Sequence, residues 1–311
     1  MSSEYLVGID ENGLGALLGP MVVTAVAAEV DEPGRRFLAR RLPKGLRQDL
    51  DDSKRLMSHN NTALGEAWAR AFVSEANTPE QLFRSLCLED EATLVEPCPK
   101  HASSQCWTPT LEGFSADEAL TARVRGHVAT LQKRGVRLLG VHSSILCTKV
   151  LNQQRKNGGN RFVSDLHAME RLLLHIRPKV GGDLVATCGK VGGITDYSKF
   201  FGPLSGWLHA VVEVGRARST YRFPTLGQVS FVKDADASDP LVMLASLVGK
   251  YIRELLMGKI ANYYVADSTG PSGYHDPVTR RFILDTSALR KRRKIPAGCF
   301  ERDGLKPPVD V

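Results

Sequence analysis

Residues 5–23 read YLVGIDENGLGALLGPMVV, and their pattern sets the expected architecture of the chain. An apolar run leads into two adjacent acids, Asp10 and Glu11, and glycines follow at Gly13 and Gly15. Two acids at the end of a buried strand cost desolvation and mutual repulsion, so a cation or a basic side chain must compensate them. Strand alternation sends the two side chains to opposite faces, and the glycines permit the bend that brings both to one site. The pattern predicts a Mg²⁺ or Mn²⁺ site of oxygen ligands; the alternative is a pair of surface acids in a turn.

The chain has 311 residues, of which 42% are hydrophobic and 24% charged, as expected of a globular protein with one large domain or two small ones. We find no apolar run long enough to span a membrane. Because residues 1–11 lack a basic segment followed by an apolar one, we expect no signal peptide and a cytoplasmic protein. The six cysteines are scattered, which in the cytoplasm favours free thiols.

The net charge of +7 suits a polyanionic partner without proving one. The densest basic run is residues 290–294, RKRRK. It has two interpretations, a solvated surface patch and a set of phosphate contacts.

Short runs rich in Val, Leu and Ile predict strands at residues 5–9, 21–29, 136–141, 183–187, 209–214 and 228–232. Apolar residues at three- and four-residue spacing predict helices at 61–76, 116–133, 143–155, 161–176 and 239–258. Strands interleaved with helices indicate an α/β fold.

Residues 77–115 are rich in Pro, Ser, Thr and Cys, and we expect an insertion rather than core sheet. Cys98, His101 and Cys106, with Cys87 upstream, offer zinc ligands. Their spacing lacks the paired C-x-x-C units of common zinc sites, so the favoured alternative is a loop with small buried residues.

Gly13, Gly15 and Gly19 nearly match the dinucleotide-binding pattern G-x-G-x-x-G. The third spacing is wrong, and two acids ahead of the turn would repel a pyrophosphate that lacks a metal. An oxidoreductase is therefore disfavoured.

Residues 8–26, GIDENGLGALLGPMVVTAV, resemble the opening motif of the type 2 ribonucleases H, which runs close to GIDEAGRGPLIGPMVVAAV. Further matches follow in the family's order: residues 52–56 (DSKRL), Leu151-Asn152 followed by Ala168-Met169 and Leu172, residues 234–254 (DADASDPLVMLASLVGKYIRE), and residues 272–279 (SGYHDPVT). Residues 58–135 are not covered, and the tail beyond about 285 is covered poorly.

The resemblance implies a ribonuclease H-like α/β fold: a mixed five-stranded sheet flanked by helices, with a C-terminal helical part. We expect a catalytic domain over 1–260, with the insertion at 77–115, and a helical substrate-binding region with a basic tail over 261–311. The implied activity is metal-dependent endonucleolytic cleavage of RNA in RNA–DNA hybrids, or at ribonucleotides embedded in duplex DNA. The family also implies a monomer.

The resemblance assigns site residues one by one. Asp10, Glu11 and Asp236 match metal-binding acids. Predicted nucleic-acid contacts are Gly13, Leu14, Gly15, Lys54, Lys250 and Tyr274. Tyr274 matches a tyrosine that packs on a sugar, and the alternative is a half-buried, hydrogen-bonded tyrosine. Lys250 matches a phosphate-facing position, and the alternative is the polar side of an amphipathic helix.

The family's third acid ends a strand, and here Cys188 stands at about that position, with Thr187 as the alternative. Three hypotheses follow from this loss. The chain is a silent nucleic-acid-binding relative; or an acid among Asp183, Asp196 and Asp234 replaces the missing one; or Cys188 binds a softer ion.

The glycine loop, residues 13–19, also departs from the family, with Leu14 in place of arginine and Ala16 in place of proline. The guanidinium's phosphate contact is lost, and we expect a looser turn. Backbone groups that recognise a ribose 2′-OH are unaffected by the leucine.

Overall fold

Seven strands form one mixed sheet in the computed structural model, which describes residues 3–101, 104–107, 113–191, 193–264 and 270–304. The strands are β1 (Glu4–Asn12), β2 (Met21–Val30), β3 (Val136–Leu146), β4 (Leu184–Gly189), β5 (Ala210–Val214), β6 (Arg218–Phe223) and β7 (Gly227–Val232). Their order in the sheet is β3-β2-β1-β4-β7-β6-β5. β1 pairs antiparallel with β2 and parallel with β4, and β4 pairs parallel with β7.

The helices are α1 (Glu32–Leu38), α2 (Lys44–Arg47), α3 (Ser53–Leu56), α4 (Ala63–Phe72), α5 (Pro79–Leu86), α6 (Glu91–Val95), α7 (Glu118–Lys133), α8 (Thr148–Lys156), α9 (Arg161–Ile176), α10 (Pro240–Tyr264), α11 (Pro277–Asp285) and α12 (Ser287–Arg292). No helix in the described part of the chain combines the length and apolar character that a membrane span requires.

The predicted α/β class is confirmed, with a mixed sheet flanked by helices and a helical C-terminal part, but the sheet has seven strands rather than the five that the resemblance implied. The sequence analysis missed β6 because its residues, RSTYRF, are strand formers without an aliphatic run. The helix predicted at 143–155 begins only at Thr148, because residues 143–146 pair with β2 as the end of β3.

The sheet separates two apolar cores. Val22 and Val26 of β2 face a core shared with α10, whereas Val23 and Ala25 face one shared with α9. Residues 77–115 belong to the first core through α5, whose Leu82, Phe83 and Leu86 are buried there. The expected insertion is therefore helical in part and covers the sheet.

α10 lies close against the sheet at Gly8 of β1. A Cβ on Gly8 would lie 2.3 Å from the carbonyl carbon of Leu241 and 2.4 Å from the backbone nitrogen of Val242. Real side chains do not make contacts this short, so glycine is what lets the helix lie here. The same packing brings Ser246 of α10 to the carboxyl of Asp10.

Gly8→Ala should therefore lower the free energy of unfolding by about 3 kcal/mol, the upper end of the usual cost of overpacking. Gly45→Ala is the matched control, because no atom lies within 4 Å of its added Cβ. Alanine at this helical position should be neutral or slightly stabilising. Urea unfolding of the two variants measures the difference, and equal stabilities would contradict the close approach.

Candidate active site

Asp10 lies at the carboxyl-terminal end of β1, the edge of the sheet where β4 and β7 also end. Its side chain is buried, and the Ser246 hydroxyl donates a hydrogen bond to it. Burial raises the pKa of Asp10 to about 7; the charge of Asp236 adds to the rise, and Lys54 opposes it. The carboxyl therefore sits where negative charge is poorly compensated.

Glu11 follows on β1 and lines the same cleft. Burial, followed by the charges of Asp10 and Asp165, raises the pKa of Glu11 well above its ordinary range. The sequence analysis did not predict Asp165 of α9 as a site residue. In the structure its side chain is 1% exposed, and its Oδ1 lacks a hydrogen-bond partner among the described residues. Its sequence signal was an acid on an apolar helix face, three residues after Phe162 and four before Met169, both buried.

Asp236 reaches the cleft from a segment more than 200 residues after β1. It lies in a single helical turn, Ala235–Ala237, directly after β7, and Asp234 before it adopts a left-handed conformation with φ of 53°. Asp236 Oδ2 accepts a hydrogen bond from Lys54 Nζ at 2.8 Å. The fold thus brings Asp236 into the same cleft as Asp10 and Glu11, although it is far from them in sequence.

These acids share an open cleft of about 520 Å³. Every residue predicted for the site except Cys188 lines it: Asp10, Glu11, Gly13, Leu14, Gly15, Lys54, Asp236, Lys250 and Tyr274. Glycines, lysines and acids from distant segments therefore meet at one place, although their individual roles stay predictions.

Cys188 lies on the wrong face of β4 for this cleft. It is fully buried, pairs with Ile9 and packs in the core shared with α9, where burial raises its pKa. The next residue, Gly189, faces the acids: a Cβ there would lie 3.1 Å from Asp10 Oδ1 and 3.9 Å from Glu11 Oε2. The position facing Asp10 is thus Gly189, which corrects the sequence-based placement at Cys188 by one residue and leaves Cys188 away from any ion in the cleft.

The three acids considered as replacements for the family's third acid lie in different parts of the structure. Asp183, just before β4, pairs with Arg177 at 3.3 Å, at the opposite end of the strand from the cleft. Asp196 accepts hydrogen bonds from Ser198. Asp234 lines the cleft, and so it is the candidate among the three that the structure brings near the site.

The glycine loop is clamped by two arginines that the sequence analysis did not foresee. Arg302, buried, donates from its guanidinium to the carbonyl oxygens of Gly13 and Gly19. Arg161 Nη1 donates to the carbonyl oxygens of Leu14 and Ala16, each at 3.1 Å. These hydrogen bonds hold the loop at four carbonyl groups, and the expectation of a looser turn stays a prediction.

Tyr274 presents one ring face to the cleft and has an arginine behind it. The guanidinium carbon of Arg253 lies 4.5 Å from the ring centroid, and Arg253 Nη1 donates to the Ser272 carbonyl oxygen at 2.9 Å. Tyr274 is 40% exposed whereas Arg253 is buried. The ring therefore packs against a buried cation and is still accessible to solvent.

The two predicted lysines have different environments. Lys54 is exposed, and its hydrogen bond with Asp236 raises its pKa. Lys250 is partly buried, with Nζ donating to the carbonyl oxygens of Met57 at 2.6 Å and Ser53 at 3.4 Å. Burial lowers the pKa of Lys250. As placed, Lys250 holds the α3 segment, and Lys54 is the more accessible cation.

The donor chemistry of the cleft fits a hard divalent cation. Asp10, Glu11 and Asp236 supply carboxylate oxygens, and the raised pKa values of the first two reflect uncompensated charge. The arrangement is not closed around an ion, since among the described residues no three His, Cys, Asp or Glu side chains are grouped to hold one. The Lys54 ammonium instead supplies positive charge at Asp236.

The zinc hypothesis for Cys98, His101 and Cys106 has no support in the described residues. His101 Nε2 contacts the Lys294 carbonyl oxygen at 2.9 Å, and Cys106 is buried. Cys87 is nearly buried, and burial raises its pKa. The favoured alternative, a loop with buried small residues, agrees with these environments.

The basic run at 290–294 is structural in part. Arg290 pairs with Glu301 at 3.0 Å, and its guanidinium carbon lies 3.9 Å from the Phe300 ring centroid. Arg293 similarly lies over Tyr263. Neither the surface patch nor the phosphate contact alone describes the run.

No protein-family model matches the chain, and no curated protein matches it. Among solved structures it is similar to RNase HII from Archaeoglobus fulgidus, solved with PCNA, at 18% identity and a TM-score of 0.46 over 98% of this chain and 97% of that one. Bst-RNase HIII in complex with Mn²⁺ is similar at 12% identity and a TM-score of 0.48, over 98% of this chain and 68% of that one. Ribonuclease H2 from Pyrococcus horikoshii OT3 is similar at 14% identity and a TM-score of 0.43, over 95% of this chain and 92% of that one. At these identities and scores, the conclusions about this chain rest on its own strand order and cleft.

Proposed function

We propose that this chain is a divalent-metal-dependent endonuclease that cleaves the RNA strand of RNA–DNA hybrids, or single ribonucleotides embedded in duplex DNA. The observation that carries the proposal is the meeting of Asp10, Glu11 and Asp236 in one open cleft lined by Lys54 and Tyr274. A cleft of this size, with acids at its floor and cations at its rim, suits a phosphodiester and its counter-ions.

The acids would hold Mg²⁺ or Mn²⁺, which when bound supplies an activated water and stabilises the leaving oxygen. Asp10 and Glu11 enter the cleft from consecutive positions of one strand, and Asp236 enters from the turn after β7. Because three different backbone positions fix the carboxylates, the chain contributes positioning and charge, the main protein contributions to phosphoryl transfer.

The loop and Tyr274 would recognise the sugars. No atom lies within 4 Å of a Cβ placed on Gly15, so a ribose has room to approach the backbone there. The arginine clamp holds the carbonyl groups of the loop in place. A rigid backbone beside open space is the arrangement that backbone recognition of a 2′-OH requires.

Lys54 would contact a phosphate once its bond to Asp236 is given up. Its exposed side chain at the cleft rim can move toward the substrate. A cation at Asp236 would free the ammonium for this role, which couples loading of the acids to binding of the backbone.

The test is a cleavage assay on three labelled duplexes of about 20 base pairs: DNA with one embedded ribonucleotide, an RNA–DNA hybrid, and plain DNA. We expect cleavage of one or both ribonucleotide-containing duplexes in Mg²⁺ or Mn²⁺, and none of plain DNA. Binding should weaken with salt by close to one unit of log–log slope per phosphate contact.

Two outcomes would contradict the proposal in different ways. Salt-sensitive binding without cleavage would make the chain a silent nucleic-acid-binding protein, which the glycine at position 189 would explain. Weak binding without salt dependence would remove nucleic acid as the substrate.

A further inference from the structure

The sheet extends two strands beyond β7, and this β5–β6 hairpin lies level with the cleft. Gly189 of β4 pairs with Val232 of β7, and Val232 pairs with Arg218 of β6. Asp10 continues the β1–β4 register beside Gly189, as the 3.1 Å distance from a Gly189 Cβ to Asp10 Oδ1 requires. A single row across the sheet therefore joins Asp10 to Arg218.

Arg218 also faces the same side of the sheet as Asp10. On β6, Tyr221 and Phe223 face the core shared with α9, so the alternate residues Arg218 and Arg222 face the other side. Three strand spacings of about 4.8 Å separate Arg218 from Asp10, or about 14 Å. Arg218 is thus an exposed cation on the far rim of the face that carries the acids.

The turn of the hairpin is tied to the cleft. Lys190, which lines the cleft, donates from Nζ to the Gly215 carbonyl oxygen at 2.8 Å and to Ser219 Oγ at 2.7 Å. The backbone nitrogen of Lys233 donates to the Ala217 carbonyl oxygen at 2.9 Å. The turn therefore keeps a fixed position relative to the acids.

The turn carries exposed positive charge, and one acid that compensates it is Asp239, where burial raises the pKa and the charge of Arg218 opposes the rise. Arg216 and Arg218 are exposed, and within the described ranges neither has an acid within ion-pair distance. The exposed acids nearby are Glu213 and Asp234, and Asp234 lies 3.9 Å from Lys233. Two accessible guanidiniums on a backbone held in place, at the edge of the acid-bearing face, suit a repeating anion such as a phosphate backbone.

We propose that Arg216 and Arg218 bind the phosphate backbone of the nucleic acid held in the cleft, about four nucleotides from the cleavage position, given 3.4 Å per nucleotide along a strand. This inference rests on the proposed function. The outer edge of β5 exposes Val211, Val212 and Val214. The alternative occupant, a protein bound at that edge, is an outcome of the test.

The test compares the double variant Arg216→Ala/Arg218→Ala with Arg222→Ala. Arg222 is an exposed arginine on the same strand and the same face, but it pairs with Gln228, four residues from the cleft edge. Affinity is measured by fluorescence anisotropy in EDTA over a salt series. One ribonucleotide-containing duplex extends about ten base pairs past the ribonucleotide on each side; a second ends about two base pairs past it.

We expect the double variant to bind the long duplex about tenfold more weakly, with a log–log salt slope smaller by about two units. Its affinity for the short duplex should equal that of the unmodified chain, and Arg222→Ala should leave both affinities unchanged.

Equal affinities of the double variant and the unmodified chain for the long duplex would overturn the inference while leaving the proposed function intact. Failure of the unmodified chain to bind either duplex would overturn both. An altered oligomeric state of the double variant in sedimentation, without a change in duplex affinity, would assign the hairpin to protein contact instead.

Discussion

Replacing Asp10 with asparagine should lower the rate of divalent-dependent cleavage at least about 1,000-fold, a barrier increase of about 4 kcal/mol. Asparagine has nearly the same shape and can still accept the Ser246 hydrogen bond. It lacks the charge that, together with Glu11 and Asp236, would hold the cation. The measurement is the single-turnover rate on the preferred duplex in Mg²⁺.

The same variant should be more stable than the unmodified chain in the absence of metal at pH 8. The folded-state pKa of Asp10, about 7, lies above the unfolded value, so stability is lost as the pH rises from about 4 to about 7, and the full loss persists above that range. The gain should be about 4 kcal/mol at pH 8, since folding raises the pKa from about 4 to about 7 and each pKa unit corresponds to about 1.36 kcal/mol, and it should vanish as the pH falls below about 4. Loss of activity with loss of stability would indicate a structural role instead.

Asp183→Asn is the matched control for Asp10→Asn. Asp183 is an acid at the opposite end of the sheet, exposed and paired with Arg177. The substitution removes the same charge from the chain without touching the cleft, so the cleavage rate should stay within about twofold of the original. A comparable loss in both variants would mean that net charge, rather than the cleft, governs the activity.

Gly189→Asp should raise the cleavage rate at least about tenfold, a barrier decrease of about 1.4 kcal/mol. Its Cβ would lie 3.1 Å from Asp10 Oδ1, on the face that carries the acids. A carboxylate there would add a further oxygen ligand one residue after the position to which the resemblance assigns an acid. The contact is tight, so Asp10 must shift by a few tenths of an ångström.

Cys188→Asp, one residue before Gly189→Asp, should destabilise the fold without raising the cleavage rate. Cys188 is fully buried beside Ile9, so a carboxylate there would be desolvated in an apolar core. We expect a loss of about 3 kcal/mol in unfolding free energy and no gain in cleavage. Urea unfolding and the single-turnover rate test both variants together; a faster Cys188→Asp and an inactive Gly189→Asp would reverse the assignment.

The contrast between Cys188 and Gly189 illustrates how far the sequence could go. Motif spacing predicts the position of the family's third acid at Cys188, whereas the residue that faces Asp10 is Gly189. A shift of one residue in a strand moves a side chain to the other face of the sheet. Only the pairing of Ile9 with Cys188 and the distance from Gly189 to Asp10 decide between the positions. Alternation cannot settle this without a known register.

Other features were predictable from local pattern. β1, β2 and α10 follow from apolar runs and periodicity, and Asp10 and Glu11 follow from their unusual place after such a run. The clamp on the glycine loop was not predictable, because Arg161 and Arg302 lie far from residues 13–19 in sequence. The substitutions within the loop suggest a looser turn, but they give no sign of these long-range hydrogen bonds.

Asp165 lies between these cases. An acid on the apolar face of α9 is visible in the sequence, but its nearness to Asp10 and Glu11 depends on how α9 packs under the sheet. Buried acids of this kind are the ones that sequence analysis can single out without being able to assign a partner.

The measurement that tests the central claim most directly is calorimetric titration of the chain with Mn²⁺ at pH 8, where Asp10, with its pKa of about 7, is ionised. The account predicts saturable binding that Asp10→Asn weakens at least about tenfold, a loss of about 1.4 kcal/mol, and that Asp183→Asn leaves unchanged. Absence of saturable binding, or binding that Asp10→Asn does not alter, would contradict a cation site at the end of β1.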